Sequence, residues 1–281
     1  MNLVITGATS GIGKETVKAL VARCDQIFLL VRNIEKGKAV VDQFKNDTAA
    51  FHVIYCDLAD LATVVTASES VKKQARHIDV LINNAGGIYE SRILTKDDLE
   101  MSFSTNHLGH FLLTHNILPL LKNAGTSRVI NVSSEAHRIA KPDRHDLQAS
   151  RSYRPLKVYG NVKLFNILFT KSLAERYGKE GLYAFALHPG MVQTNFGSSF
   201  SGMVKWGMKL IKPLLISPKE GARTTVFLAT ADSVLAHNGG FFRKKKLTQP
   251  SSLACSKEWQ DLLWEESEKL IASYCSRASG K

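Results

Sequence analysis

The sequence predicts an α/β fold, a single doubly wound domain whose parallel sheet carries helices on both faces. Two observations lead there. Apolar runs of strand length alternate with longer stretches of helical period through most of the chain. Those runs are nearly continuous in Val, Ile and Leu, as strands buried on both faces require. No internal repeat, low-complexity tract or Pro/Gly-rich linker divides residues 1–281, so the whole chain reads as one domain.

The strands are expected at Leu3–Thr6, Gln26–Val31, Ala50–Cys56, Ile78–Ile82, Arg128–Val132 and Leu182–Leu187. Between them, helical period marks 11–22, 34–46, 60–76, 97–122 and 155–178. After Pro189 the pattern changes, and 191–217 mixes Gly, Ser and aromatics with the stretch MVKWGMKLIKPLLI, which suits a segment covering a substrate. Ser217-Pro218 then predicts a helix start, with Pro at the first helical position and a helix to about Thr230. A short strand near Gly240–Phe242 and a closing helix near 256–272 complete the order.

Composition narrows the function classes. With 44% hydrophobic and 22% charged residues, the chain is an ordinary globular one, which excludes a disordered, collagen-like or disulfide-stapled protein. Cys24, Cys56, Cys255 and Cys275 are widely spaced and form no metal-type or redox pair, as expected of reduced thiols. No apolar run approaches the ~20 residues that span a bilayer, and the N-terminus lacks a signal-peptide pattern, which together predict a cytoplasmic protein. The net charge of +12 predicts attraction to anions: a phosphorylated cofactor, an acidic membrane surface or nucleic acid. None of the nine histidines forms HExxH or a comparable pair, so no metal site is expected.

The first chemistry-bearing motif is Thr6-Gly7-Ala8-Thr9-Ser10-Gly11-Ile12-Gly13, set between the first strand and the first helix. Glycines there let backbone N–H groups approach a pyrophosphate, and the helix N-terminus favours its charge, as in a Rossmann nucleotide-binding turn. The spacing is TGxxxGxG, and further motifs follow in a fixed order. They are Asp57-Leu58 after the third strand, Asn83-Asn84-Ala85-Gly86 ending the fourth, Asn106 in the long helix and Ser134 after the fifth strand. Tyr159-Gly160-Asn161-Val162-Lys163 and Pro189-Gly190 with Val192 and Thr194 complete the series.

With these motifs, residues 2–230 resemble the short-chain dehydrogenase/reductase family. GATSGIGKET, TNHLGHFLLT, VSSEAH, YGNVKLFN and HPGMVQTN make the chain most similar to the retinol dehydrogenase and protochlorophyllide reductase-like group. The resemblance implies a nicotinamide cofactor held by Gly7, Ser10, Gly11, Ile12 and Gly13, by Asp57 and Leu58, and by Asn84, Ala85 and Gly86. It further implies Tyr159, Lys163, Pro189, Gly190, Val192 and Thr194 as cofactor contacts. The substrate class implied is a small carbonyl or alcohol compound, lipophilic in character: an aldehyde, a ketone, or a retinoid- or steroid-like molecule. Many relatives pair into dimers or tetramers, so self-association fits the resemblance.

The second strand bears on the cofactor's identity. An Asp or Glu at its end bonds the adenosine ribose of NAD, whereas an Arg suits the 2′-phosphate of NADP. Here the strand ends Leu30-Val31-Arg32-Asn33 with no carboxylate, which predicts NADP(H) over NAD(H) through Arg32.

Tyr159 and Lys163 share one helix face. An unperturbed Tyr has a pKa near ~10, and a neighbouring ammonium favours its phenolate, so this pairing suits proton transfer to or from an alcohol oxygen. By resemblance, Ser134 bonds the substrate oxygen, Lys163 also bonds the nicotinamide ribose, and Asn106 holds a water in a proton relay. Ser133 is expected to bond local backbone.

Other readings stay open. Met203–Ile216 is either a lid touching a membrane surface or a covering helix with its lysines in water. Lys244–Lys246 reads as a solvated charge run, without a nucleic-acid recognition motif. A binding protein that senses NADP(H) or scaffolds other proteins, with weak catalysis, is the alternative to an enzyme; the intact Asn–Ser–Tyr–Lys set favours the enzyme.

Overall fold

The computed structural model describes residues 1–45, 47–192 and 215–276. Eight strands form one sheet: β1 (Asn2–Thr6), β2 (Gln26–Val31), β3 (Ala50–Tyr55), β4 (Val80–Asn83), β5 (Ser127–Val132), β6 (Leu182–His188), β7 (Phe241–Arg243) and β8 (Lys246–Leu247). Their order is β3-β2-β1-β4-β5-β6-β7-β8, all parallel except the last pair. The chain therefore winds outward in one direction from β1 to β3 and in the other from β4 to β7. The strand order reverses at the β1–β4 border, and in open α/β sheets a ligand crevice lies at such a point, outside the strands' carboxyl ends.

The helices are α1 (Gly11–Leu20), α2 (Ile34–Val41), α3 (Leu61–Gln74), α4 (Met101–Phe103), α5 (Gly109–Lys122), α6 (Pro155–Tyr177), α7 (Pro218–Thr230) and α8 (Lys257–Ser276). Strand side chains alternate between faces, so the sheet sorts its residues into two cores. Leu3, Ile5, Ile27 and Leu29 join Val17, Leu20 and Leu228 on the α1, α2 and α7 side. Val4, Phe28 and Leu81 join Val64, Phe111, Phe165 and Trp264 on the α3, α5, α6 and α8 side.

Helix starts follow the local chemistry. Ser217 caps α7 by accepting the Glu220 N–H at 3.2 Å, with Pro218 at the first position, as the sequence predicts. Pro155 likewise stands at the start of α6, there without a side-chain cap.

Three segments depart from the sequence expectation. The stretch 97–122 is not one helix. Asp98 takes a left-handed φ of 58°, and Glu100 then caps α4 by accepting the Ser102 and Phe103 N–H groups at 2.7 Å each. A π-helical turn over Ser104–Leu108 separates α4 from α5. Apolar period alone does not register an inserted residue of this kind. At the sheet edge, the charge run 243–246 is exposed, as expected of solvated charge, but it also forms a hairpin. Lys244 and Lys245 both take positive φ, 49° and 62°, the backbone of a tight turn that Asn-Gly usually supplies. The closing helix also extends past the expected 272, to Ser276.

Among the described residues, no helix is long and apolar enough to cross a membrane. Most of 191–217, including Thr194 and nearly all of Met203–Ile216, lies outside the described residues. The two flanks of that stretch meet: Val192 pairs with Ile216 in a parallel bridge, and the Ile216 N–H donates to the Met191 carbonyl at 2.8 Å.

Candidate active site

The glycine turn is built by close approach. Gly7 and Gly11 have φ of 69° and 53°, where a side chain is strained. A Cβ on Gly13 would lie 2.3 Å from the Gly7 carbonyl oxygen, so only glycine lets helix α1 fold back against the end of β1. Ser10 occupies the N-cap of α1 without a side-chain cap bond, leaving the helix end to an external anion. Asn84 closes the cradle from the neighbouring strand, its Nδ2 donating to the carbonyls of Thr6 at 2.9 Å and Gly7 at 3.2 Å. A narrow cradle of backbone at a helix N-terminus fits a dinucleotide pyrophosphate.

Arg32, Asp57 and Leu58, the residues expected near the adenosine, stand on the opposite flank of β1 from Ser134, Tyr159 and Lys163, as the strand order dictates. Arg32 is exposed at the end of β2, where Asn33 caps α2 by accepting the Lys36 N–H at 2.8 Å. Asp57 turns its carboxylate to the Ala59 N–H at 3.0 Å, and Leu58 is buried against the start of α5, where a Cβ on Gly109 would reach it at 3.0 Å.

On the other flank, the ends of β4 and β5 and helix α6 bring Asn106, Ser134, Tyr159 and Lys163 into one neighbourhood. Gly160 makes this possible. A Cβ there would lie 2.8 Å from the Ala136 carbonyl, so α6 rides close over the turn beginning at Ser134 and sets Tyr159 beside it. Ser134 accepts the Ala136 N–H at 3.2 Å, which orients its hydroxyl. Lys163 lies with its Nζ 5.5 Å from the centre of the Tyr159 ring and donates to the Val132 carbonyl at 3.2 Å. Ser133 donates to the Lys163 carbonyl, pinning the helix to the strand end. Asn106 is wholly buried in the π-helical turn; its Nδ2 donates to the carbonyls of Gly87 at 3.0 Å and Ser102 at 2.9 Å, and its Oδ1 accepts the Gly87 N–H at 3.2 Å. Gly86 lies between Asn106 and Lys163: a Cβ there would sit 2.4 Å from Asn106 Oδ1 and 3.3 Å from Lys163 Nζ.

Electrostatics follow from burial. Desolvation pushes the Tyr159 hydroxyl well above the usual phenol range, and its bond with the Ser134 side chain pulls the other way. Burial pushes Lys163 down to about 8, so its ammonium can give up a proton near neutral pH. Pro189 and Gly190 leave β6 on the same flank; Gly190 has a φ of 99°, and a Cβ there would lie 2.5 Å from the Ile216 side chain. Thr194 lies outside the described residues.

Two residues of the sequence motifs show their particular bonds only in the fold. Thr6, which opens the glycine motif at the end of β1, receives the Asn84 and Ala85 N–H groups on its Oγ1 at 3.0 Å each. Asn83 reaches across the sheet, its Nδ2 donating to Asn131 Oδ1 at 2.8 Å, and Asn131 Nδ2 donates in turn to Thr170 Oγ1 at 2.9 Å on α6. Polar side chains inside strand runs are the only sequence signal for such a ladder.

Comparison with known proteins agrees with this architecture. The short chain dehydrogenase family model matches residues 1–204. The chain is 36% identical over 272 residues to retinol dehydrogenase 12 of Mus musculus, covering 96% of this chain and 85% of that one. It is 33% identical over 273 residues to polyprenol dehydrogenase of Homo sapiens, covering 94% and 83%. Among solved structures, an uncharacterized protein from Mycobacterium paratuberculosis superposes with a TM-score of 0.78 at 32% identity, covering 96% of this chain and 93% of that one. Motif order, sheet topology and extended sequence identity converge: the chain belongs to the short-chain dehydrogenase/reductase family, in its retinol dehydrogenase-like group.

Proposed function

We propose that this oxidoreductase is NADP(H)-dependent and interconverts a lipophilic alcohol with its aldehyde or ketone. The observation that carries the reading is the meeting of Ser134, Tyr159 and Lys163 at the strand ends beside the glycine cradle. Gly7, Ser10, Gly11, Ile12 and Gly13 would hold the pyrophosphate, and Arg32 the 2′-phosphate through a charge-assisted fork. Asp57 and Leu58 would border the adenine, and Asn84, Ala85, Gly86, Pro189, Gly190, Val192 and Thr194 the rest of the cofactor. The bound nicotinamide supplies or accepts the hydride.

The chain's own residues handle the oxygen and its proton. Ser134 and Tyr159 hold the substrate oxygen with their hydroxyls. In carbonyl reduction Tyr159 donates its proton to the forming alkoxide, and in alcohol oxidation it takes one away. Lys163 replenishes that proton, its lowered affinity favouring transfer toward the tyrosine oxygen. Asn106 fixes the wall behind Lys163 through its bonds to Gly87 and Ser102.

The lipophilic substrate class draws support from Ile139, Leu156 and Met191. These are exposed apolar side chains on the segments that follow Ser134, precede Tyr159 and follow Gly190. Relatives named for retinol and polyprenol point the same way.

A panel of aldehydes and ketones of rising chain length, followed by NADPH absorbance and repeated with NADH, tests the reading. The expected result is turnover that improves with chain length and prefers NADPH by at least about tenfold, a difference of about 1.4 kcal/mol. Tight NADPH binding without turnover of any compound would favour the sensor instead.

A further inference from the structure

The proposed relay turn is tied to the dinucleotide turn through a buried imidazole that the scheme above leaves unused. Thr6, the last residue of β1, receives N–H groups from Asn84 and Ala85 on its hydroxyl oxygen. Both lone pairs are then engaged, so the hydroxyl must spend its own hydrogen outward. His110 Nε2 lies 2.9 Å away, while the alternative acceptor, the Ile82 carbonyl, lies at 3.5 Å. An Nε2 that accepts leaves the ring proton on Nδ1, and Nδ1 stands 3.3 Å from the backbone carbonyl of Asn106. The hydrogen-bond polarity is thereby fixed along the path: Asn84 and Ala85 N–H to Thr6 hydroxyl, Thr6 hydroxyl to Nε2, and Nδ1–H to the Asn106 carbonyl.

We propose that His110, as the neutral Nδ1–H tautomer, is a positioning residue that holds Asn106 and the wall behind Lys163 in register with the dinucleotide turn. This rests on the oxidoreductase reading above. The ring joins the end of β1 to the π-helical turn of Asn106, and the Thr6 hydroxyl ties in the turn leaving β4. Thr6, His110 and Asn106 are all buried, at 2%, 2% and 0% exposure, so water does not substitute for a lost bond. Protonation is opposed twice, by that burial and by the absence of a free lone pair on Thr6 to meet an Nε2–H. The ring is accordingly pushed down to about 3, with burial the main cause and the Asn106 carbonyl working against it. A phenyl ring would fill the same space yet leave the Thr6 hydroxyl and the Asn106 carbonyl without this partner.

The wild-type protein tests the tautomer directly. In long-range ¹H–¹⁵N spectra of ¹⁵N-histidine-labelled protein, with the signal assigned by its loss in His110→Gln, the ring should be the Nδ1–H form and stay neutral at about pH 6. An Nε2–H tautomer or an imidazolium there overturns the proposal whether or not any variant folds. In turnover, His110→Phe should lower kcat by about 10–100-fold while the KM for NADPH changes by less than about threefold, and it should move the alkaline limb of the kcat–pH profile. His110→Gln, which returns an acceptor to Thr6, should recover part of the loss. A folded His110→Phe enzyme with kcat within about twofold of wild type and an unmoved profile would reduce His110 to packing. Wild-type protein that turns over no carbonyl compound would refute the oxidoreductase reading while leaving the tautomer result to stand by itself.

Discussion

The two flanks of the proposed site are built in opposite ways. Around Tyr159 the polar groups are buried and tied to backbone: Lys163 to Val132, Ser133 to Lys163, and Asn106 to Gly87 and Ser102. On the other flank Arg32 is exposed at a strand end, and the turn beneath it is held by Asn33 rather than by the arginine. The first arrangement sets proton affinities through desolvation and costs stability, because buried ionisable groups are expensive. The second costs nothing in the free protein and gains energy only when an anion arrives. Reaction chemistry and cofactor choice should therefore respond very differently to substitution.

The largest effect expected is at Tyr159. Tyr159→Phe keeps the ring, its packing and the neighbouring Lys163, and removes only the hydroxyl. Turnover should fall by about 10²–10⁴-fold while NADPH binding is retained, read by steady-state kinetics alongside a fluorescence titration of the cofactor. Unchanged turnover would remove the tyrosine from the mechanism and with it the contrast between the flanks.

The cost of the buried flank should show as acid sensitivity. His107 and His110 are both pushed down to about 3 by burial, from an ordinary value of 6.5. Below 6.5 the unfolded chain takes up protons that the folded chain refuses, so stability falls as pH drops from 6.5 toward 3. At about pH 5 each imidazole accounts for about 2 kcal/mol of lost stability. Glu100 opposes this, since burial raises its carboxyl and the folded state takes up its proton more readily, but His115, His137 and His188 are lowered by burial as well and add to the two imidazoles. Urea midpoints measured at about pH 7 and about pH 5 should differ in that direction. An equal midpoint would mean that these rings are not held neutral by the fold.

The contrast also explains what was legible from the amino-acid sequence. Strands β1, β2, β5 and β6 are apolar runs bounded by Gly, Asp or Ser, and burial on both faces leaves little choice of residue type, so they read directly. The glycines read because backbone approach excludes every other residue at Gly13. The π-helical turn did not, since it arises from one extra residue in a helix whose apolar period continues on both sides. Lys244 and Lys245 read rightly as solvated charge, but their turn did not, because nothing in a lysine announces positive φ; the hairpin is imposed by pairing of Arg243 with Lys246 at the sheet edge. The bond between Thr6 and His110 stayed unread for a related reason. A hydroxyl at a strand end and a histidine in a helix have many ordinary roles, and their bond spans 104 residues of chain.

The smallest effect, and the sharpest test of the exposed flank, is Arg32→Ala. Arg32 is exposed, so thermal stability should stay within about ±0.5 kcal/mol of wild type, read from the unfolding midpoint without cofactor. A charge-assisted pair with a phosphate contributes about 1.5–3 kcal/mol, so the Kd for NADPH should rise about 10–100-fold. The Kd for NADH, which carries a hydroxyl where NADPH has its 2′-phosphate, should hardly move, and the two cofactors should approach equal affinity. The loss should also shrink with added salt, because an exposed pair is screened over about 8–10 Å at physiological ionic strength whereas a buried one is not. If NADPH affinity were unchanged in Arg32→Ala, the preference would have to arise elsewhere around the ends of β2 and β3. Lys14 and Lys36 would then be the next basic residues to substitute, and the exposed flank would owe its selectivity to a distributed field in place of one side chain.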